Sequence, residues 1–350
     1  MLPRARTLRT TRHQSGEHGG MSMFSGLFSG RSALRKVRAF QIAVPLALLV
    51  AGCGGEDSSP PQAPPPAPTP TPTPSPTPTP TAFTNWQTLP TDGVLTLSGS
   101  TVEAAYVPSA ISGTVGSYNT PGVGTAKVDI TYTGGASTAV TVTGSQSSIA
   151  FRDGDGSTKT RPAASPNVIT YASPSGDTSL LFVDAVSAGY SFMSYGAWTG
   201  QSSTTGFINS FRVGSLTNPQ SVPSSGSAIY NGTSTGYYSS VNGSVRAVTA
   251  DITITIDFGT RTVSYEARNS QGASTLPGLN FSGQLAYSSS SRDFSGTFTT
   301  PQGFGTGVLS GPVTGSFYGP NGEEVSGAFV LNWSGGTVGQ YVVSFGAKRQ

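Results

Sequence analysis

Apolar and polar side chains alternate without a break between residues 251 and 258. Ile252, Ile254, Ile256 and Phe258 fall between Asp251, Thr253, Thr255 and Asp257. Val263, Tyr265 and Ala267 resume the alternation after Gly259-Thr260. A period of two lines one face of a strand with one kind of side chain, so the segment predicts a β-hairpin. Gly259-Thr260 fits a two-residue loop of type II′. Folding about it sets Ile256 opposite Val263, Ile254 opposite Tyr265 and Ile252 opposite Ala267. The same register brings Asp251 across from Arg268 on the polar face, a favourable cross-strand pair. A slip of one residue would mix the two faces, which is what specifies the register.

The rest of the chain from about residue 83 to Gln350 follows the same style. Residues 280–287, 293–299, 312–318, 324–333 and 341–348 read as strands. Val325, Gly327, Phe329, Leu331 and Trp333 share one face, and Tyr341, Val343 and Phe345 share another. Upstream, residues 128–132 and 139–143 alternate in the same way. Phe83, Asn85 and Trp86 sit where the folded part begins and are its expected anchors. No stretch shows helical periodicity of comparable strength. Many antiparallel strands with internal glycines predict an all-β fold with a closed barrel, where glycine permits tight curvature. Composition agrees. Only 10% of the 350 residues are charged, against about 25% in an ordinary domain, too few for the exposed faces of a helical protein.

The N-terminus has a different grammar. Arg31, Arg35, Lys36 and Arg38 precede a short apolar run over residues 39–50, and Val50-Ala51-Gly52 leads into Cys53. The run is too short for a membrane span of about 20 residues and reads as a signal peptide. Its end resembles the bacterial lipobox, in which the cysteine receives a diacylglycerol, and commonly palmitate, and becomes the new N-terminus. Cys53 is the only cysteine, so no intrachain disulfide can form. Met21 would give a signal of ordinary length, leaving residues 1–20 untranslated. Gly54 in place of an Asp fits export to the outer membrane. Residues 1–53 hold eight of the 19 Lys and Arg and one of the 16 acids; residues 54–350 therefore carry a net charge of −4. A basic nucleic-acid footprint is absent from them. Residues 58–81 are Pro/Thr-rich, favour polyproline II and cannot build a core. Such a tether reaches roughly 70 Å.

Candidate chemistry is mostly excluded. Both histidines, His13 and His18, precede the signal core. An exported, lipidated chain has neither imidazole nor free thiol, which removes Ser-His-Asp and Cys-His catalysis and His- or Cys-based metal sites. The expectation is a protein that is not an enzyme and carries no cofactor. Gly232-Thr233-Ser234-Thr235-Gly236 matches a nucleophile elbow, but without a histidine it reads as a chance hit. Asp153-Gly154-Asp155-Gly156 suggests a calcium loop, yet Ala164 stands where an EF-hand needs Glu, so a solvated turn is expected. Glu323 and Glu324 are adjacent, and neighbouring strand residues face opposite ways. They cannot flank one glycosidic bond and are expected in turn and capping roles. Haem would require a Tyr or Met193 as axial ligand, or would bind with no axial ligand at all.

One segment carries a family resemblance. Gly315-Ser316-Phe317-Tyr318-Gly319-Pro320, the acidic pair Glu323-Glu324, and Gly327-Ala328-Phe329 resemble the signature hairpin of the barrel domains of transferrin-binding protein B. The closing residues 345–349 resemble the last strand of those barrels, and Tyr195-Gly196-Ala197-Trp198, residues 227–232 and residues 250–264 are similar in order and spacing. Asn321-Gly322 and Ser326 depart from the pattern, and the chain has room for one lobe where the family has two. The resemblance implies a β-rich handle over residues 83–187 and an antiparallel barrel of about eight strands over residues 188–350, behind a signal peptide at 1–52 and a lipidated tether at 53–82. It implies a surface lipoprotein of the outer membrane that binds a protein ligand non-covalently, with an iron or haem carrier as candidate. A TonB-dependent transporter as a further partner would favour uptake over the alternative, a structural or adhesive envelope lipoprotein with no iron role.

Overall fold

The computed structural model describes residues 83, 85–88, 91–110, 114–301, 307–334 and 339–350. Cys53, the signal segment and the tether lie outside the described residues. Ten strands come first: β1 (Gly93–Pro108), β2 (Val115–Tyr118), β3 (Gly122–Thr133), β4 (Ala136–Thr143) and β5 (Ser148–Arg152). They are followed by β6 (Thr158–Thr160), β7 (Val168–Ala172), β8 (Thr178–Val183), β9 (Met193–Gln201) and β10 (Gly206–Gly214). They form one sheet in the order β5-β4-β3-β1-β10-β9-β8-β7-β6, with β2 added on β1. The sheet curls on itself. Phe151 of β5 stacks on Tyr171 of β7 with ring centres 5.3 Å apart, and Lys159 of β6 pairs with Asp153 at 3.2 Å. A short helix, α1 (Ala185–Ala188), is capped by Asp184 at its start and ended by Gly189 at φ 75°.

The second module is a closed antiparallel barrel of eight strands. Its first four are β11 (Ser227–Ser240), β12 (Arg246–Asp257), β13 (Thr262–Gln271) and β14 (Phe281–Ala286). The others are β15 (Asp293–Thr299), β16 (Val308–Tyr318), β17 (Glu324–Ser334) and β18 (Gly339–Arg349), and β18 closes onto β11. Apolar residues point inward at every second position, so Ile252, Ile254 and Ile256 are buried. Tyr265 meets Phe298 at 4.7 Å and Phe345 at 5.1 Å, and Phe329 meets Phe298 at 5.5 Å. Each such side chain contributes about 1.5–3 kcal/mol by leaving water. Glycines make room for these rings. A Cβ on Gly315 would lie 2.0 Å from Phe294, and one on Gly327 would lie 2.2 Å from Phe345.

The predicted hairpin register holds, with Ile256↔Val263, Ile254↔Tyr265, Ile252↔Ala267 and Asp251↔Arg268. Two details differ. The tip is a four-residue turn from Phe258 to Arg261, with Arg261 left-handed at φ 58° and Asp257 accepting from the Thr260 amide. Phe258 is buried and its amide donates to the Gly226 carbonyl, which keeps it from pairing across the tip. The Asp251–Arg268 ion pair does not form. Arg268 Nε instead donates to Glu266 at 2.7 Å, and Asp251 accepts from Asn269 at 2.8 Å. The boundary at residue 188 also moves. Residues 193–214 are β9 and β10 of the open sheet, paired with β8 and β1. The barrel begins at Ser227 because β11 is the strand onto which β18 closes. Among the described residues no helix is long and apolar enough to cross a membrane.

Candidate functional site

The signature segment spans the end of β16, the turn after it and the start of β17. Strand alternation divides its residues. Phe317 points into the barrel against Phe258, Tyr287 and Phe294, and Phe329 joins the aromatic cluster. Tyr318 points the other way and is buried in the core of the handle sheet. Gly319 is left-handed at φ 87°, and a Cβ there would lie 2.6 Å from Phe192. Its amide donates to Ser215 O at 2.9 Å, and its carbonyl accepts from Thr217 Oγ1 at 2.7 Å. Pro320 follows in the turn. Glu323 closes that turn by accepting from the amide and the side chain of Asn321, both at 2.9 Å. Gly322 presents its carbonyl to Tyr230 at 2.7 Å.

Glu324 goes inward to the junction of the two modules. It is 1% exposed. Its two oxygens accept from the amides of Ser191 and Phe192, at 2.6 and 3.0 Å. Burial pushes its carboxyl up to about 7, against the pull of those amides and of the Lys348 ammonium. Lys348 sits opposite Glu324 in the ladder and donates to Gly189 O at 2.9 Å. Tyr190 OH reaches Gly346 O at 2.9 Å. The first described residues pack here as well. The Trp86 amide donates to Ser191 O at 2.9 Å, Gln87 Nε2 to Tyr190 O at 2.8 Å, and Phe83 packs edge-on against Phe192. Segments of three distant parts of the sequence thus meet at residues 189–192. The signature residues build a joint between handle and barrel.

The other sequence candidates resolve as structure. Ser234 lies in the middle of β11, paired with both Ala250 and Phe345, so it forms no elbow. Asp155 accepts from the amides of Arg152 and Ser157, which makes residues 153–157 a β5–β6 turn. Among the described residues no group of three or more His, Cys, Asp or Glu could hold a metal. Met193 is fully buried in β9, with its methyl beside Gly346, and cannot reach a haem.

Surface depressions among the described residues offer places where a partner could seat. One of about 500 Å³ lies at the barrel mouth, between Arg268, Phe281 and Thr299. A polar cleft of about 370 Å³ runs between the 164–167 loop and β11, with Asp251 and Lys348 on its walls. The third, of about 290 Å³, is apolar and lies between β1 and β17. No sequence pattern marks it, because its walls come from residues some 200 positions apart. Arg212, which sits at its end, was likewise silent. It lies on the outer face of β10, donates to Ser100 Oγ at 2.9 Å and to Ser316 Oγ at 3.1 Å, and so stitches handle to barrel.

Residues 222–349 match the family described as the C-lobe and N-lobe beta barrels of Tf-binding protein B. Solved structures with a related fold include a mutant of the vaccine antigen transferrin binding protein B from Haemophilus parasuis Hp5. It is 13% identical, with 74% of this chain and 77% of that chain covered and a TM-score of 0.37. Isotype 1 transferrin binding protein B from serogroup B Neisseria meningitidis is 13% identical, with 75% and 77% covered and a TM-score of 0.36. No curated protein matches the sequence.

Proposed function

We propose that this protein is a lipid-anchored surface protein of the outer membrane that captures a protein ligand non-covalently, the ligand being a carrier of iron or haem. The observation that carries this reading is the match of residues 222–349 to the barrels of Tf-binding protein B. The anchor is Cys53 in its lipobox, and the Pro/Thr-rich tether supplies reach. The joint at Glu324, Gly319 and Ser191 holds the two modules as one body, so that loops of both can present a preformed surface. A preformed surface loses little conformational entropy on binding.

The test uses the full-length lipoprotein in detergent micelles, immobilised and exposed separately to iron-loaded transferrin, iron-free transferrin, haemoglobin and haem-loaded albumin. Saturable binding of at least one, at about micromolar Kd or tighter, is expected. Binding to none of the four, by a protein with an intact thermal transition, would overturn the carrier reading and leave the structural or adhesive role.

A further inference from the structure

Handle and barrel are packed together along β8, β9 and β10, and β1 touches β17; a depression lies between β1 and β3 on one side and β16 and β17 on the other. The apolar groove of about 290 Å³ opens there. Val102, Pro121 and Val123 form one wall, and Pro312, Ala328 and Val330 form the other. Ala328 and Val330 are buried, each 2% exposed, while Val123 stands on the rim at 80% exposure. An 80% exposed valine beside an apolar wall is surface that gains by being covered.

Charge marks one end of the groove. Val102 and Ser100 lie on the same face of β1, and Arg212 is the cross-strand neighbour of Ser100. The Arg212 guanidinium reaches Ser100 Oγ at 2.9 Å and Ser316 Oγ at 3.1 Å, and approaches Ser326 O and Thr314 Oγ1 at 3.4 Å. Thr314 itself lines the groove. All four partners are neutral. Among the described residues no carboxylate lies within ion-pair distance of Arg212. The nearest acid in this network, Asp293, is reached only through the Ser316 hydroxyl, which donates to it at 2.5 Å. A guanidinium held by neutral oxygens keeps its charge available to a carboxylate, which it binds more strongly than it binds a hydroxyl.

We propose that this groove docks an extended segment of a protein partner, placing an apolar side chain between Val123 and Pro312 and an adjacent Asp or Glu carboxylate on Arg212. Charge complementarity and the apolar walls select that pair of side chains. Thr314 and Asn332 at the margins offer neutral hydrogen-bonding groups to a peptide backbone, which an acyl chain would leave unused. The inference rests on the proposed function only in that the partner is a protein; it does not require that partner to be the carrier.

The experiment selects a random-peptide phage library on the immobilised full-length lipoprotein and measures the selected peptides in solution. The expected peptides share an apolar residue next to Asp or Glu. They weaken about tenfold or more when that acid is replaced by its amide, on Arg212→Gln, and on Val123→Glu. Val123 is exposed enough that its substitution leaves folding intact, which keeps the test decisive if Arg212→Gln loosens the joint. Peptides without the acid–apolar pair, or peptides that bind Val123→Glu as tightly as the parent, would overturn the proposal. So would Val123-dependent binding of decanoate with no peptide selected. The same preparations are tested on the four carriers. Carriers captured equally by parent and Val123→Glu, with no peptide selected, sink the groove and leave the proposed function. Selected peptides with no carrier captured do the reverse.

Discussion

Glu323 and Glu324 differ by one position and by everything around them. Glu323 stays at the surface turn, while strand alternation sends Glu324 into the junction. Burial raises the Glu324 carboxyl from 4.5 to about 7, with the Ser191 and Phe192 amides and Lys348 opposing. The neighbouring Tyr190 is a neutral phenol, held well above its ordinary range by burial. Between these two values the folded protein keeps a proton that the unfolded chain has released. The stability that this supplies is complete below 4.5 and is lost as pH rises through about 7. Urea unfolding at a series of pH values should therefore show stability falling across that window, by about 1–3 kcal/mol. Glu324→Gln, which cannot titrate, should flatten that part of the curve. A slope unchanged in the variant would place the titrating group elsewhere.

At the scale of the elements, the β12–β13 hairpin shows what register alone decides. Alternation placed Ile254 opposite Tyr265, as observed. It could not foresee the bulge between Thr249 and Asp251, where β13 carries an extra residue and Asn269 turns left-handed at φ 53°. A bulge re-aims the side chains beside it. Arg268 accordingly pairs with Glu266 on its own strand, and Asp251 with Asn269. The seam between β14 and β15 is uneven. β14 and β15 are joined only through Leu285↔Gly296 and Ala286↔Ser295, while β13 and β14 are paired from Thr262↔Ala286 to Ala267↔Phe281. Residues 281–284 and 297–299 therefore lack a ladder on their facing sides. Hydrogen exchange followed by mass spectrometry should find the amides that face this seam exchanging before those of β12 or β17, since local opening needs fewer bonds broken. Equal protection across all eight strands would contradict the uneven seam.

At the scale of the whole molecule, the handle is held to the barrel by contacts that are individually ordinary. Tyr195 OH donates to Thr233 O at 2.9 Å, Ser344 Oγ to Gly196 O at 2.8 Å, and Tyr237 OH meets Ser179 Oγ at 3.0 Å. Tyr237, Tyr318, Val330 and Val342 of the barrel are buried in one core with the handle residues. Phe83 and Trp86, at the start of the described residues, pack beside the joint against Phe192 and Ser191. The proposed anchor at Cys53 is itself testable. Cys53→Ala should release the protein from the membrane fraction, and intact-mass analysis of the parent should show acyl chains. Retention of the variant together with an unacylated parent would remove the anchor.

The chain by itself determined the fold class, the register of the 251–268 hairpin and its inward face, because a period of two and the cost of burying polar groups act locally along a strand. It also limited the candidate chemistry of residues 83–350, which contain neither His nor Cys, because folding cannot supply a residue type that the segment lacks. Tertiary structure decided the rest. It assigned residues 193–214 to the open sheet, because strand pairing between β10 and β1 links positions about a hundred residues apart. It turned the Phe317-Tyr318-Gly319-Pro320 signature into a joint, since Ser191, Phe192 and Ser215 carry no pattern that marks them as its partners. It raised Glu324 by burial that no neighbour in sequence announces. It also set Arg212 beside an apolar groove assembled from both modules. Periodicity reports which way a side chain points; only the packing of distant elements decides what it meets there.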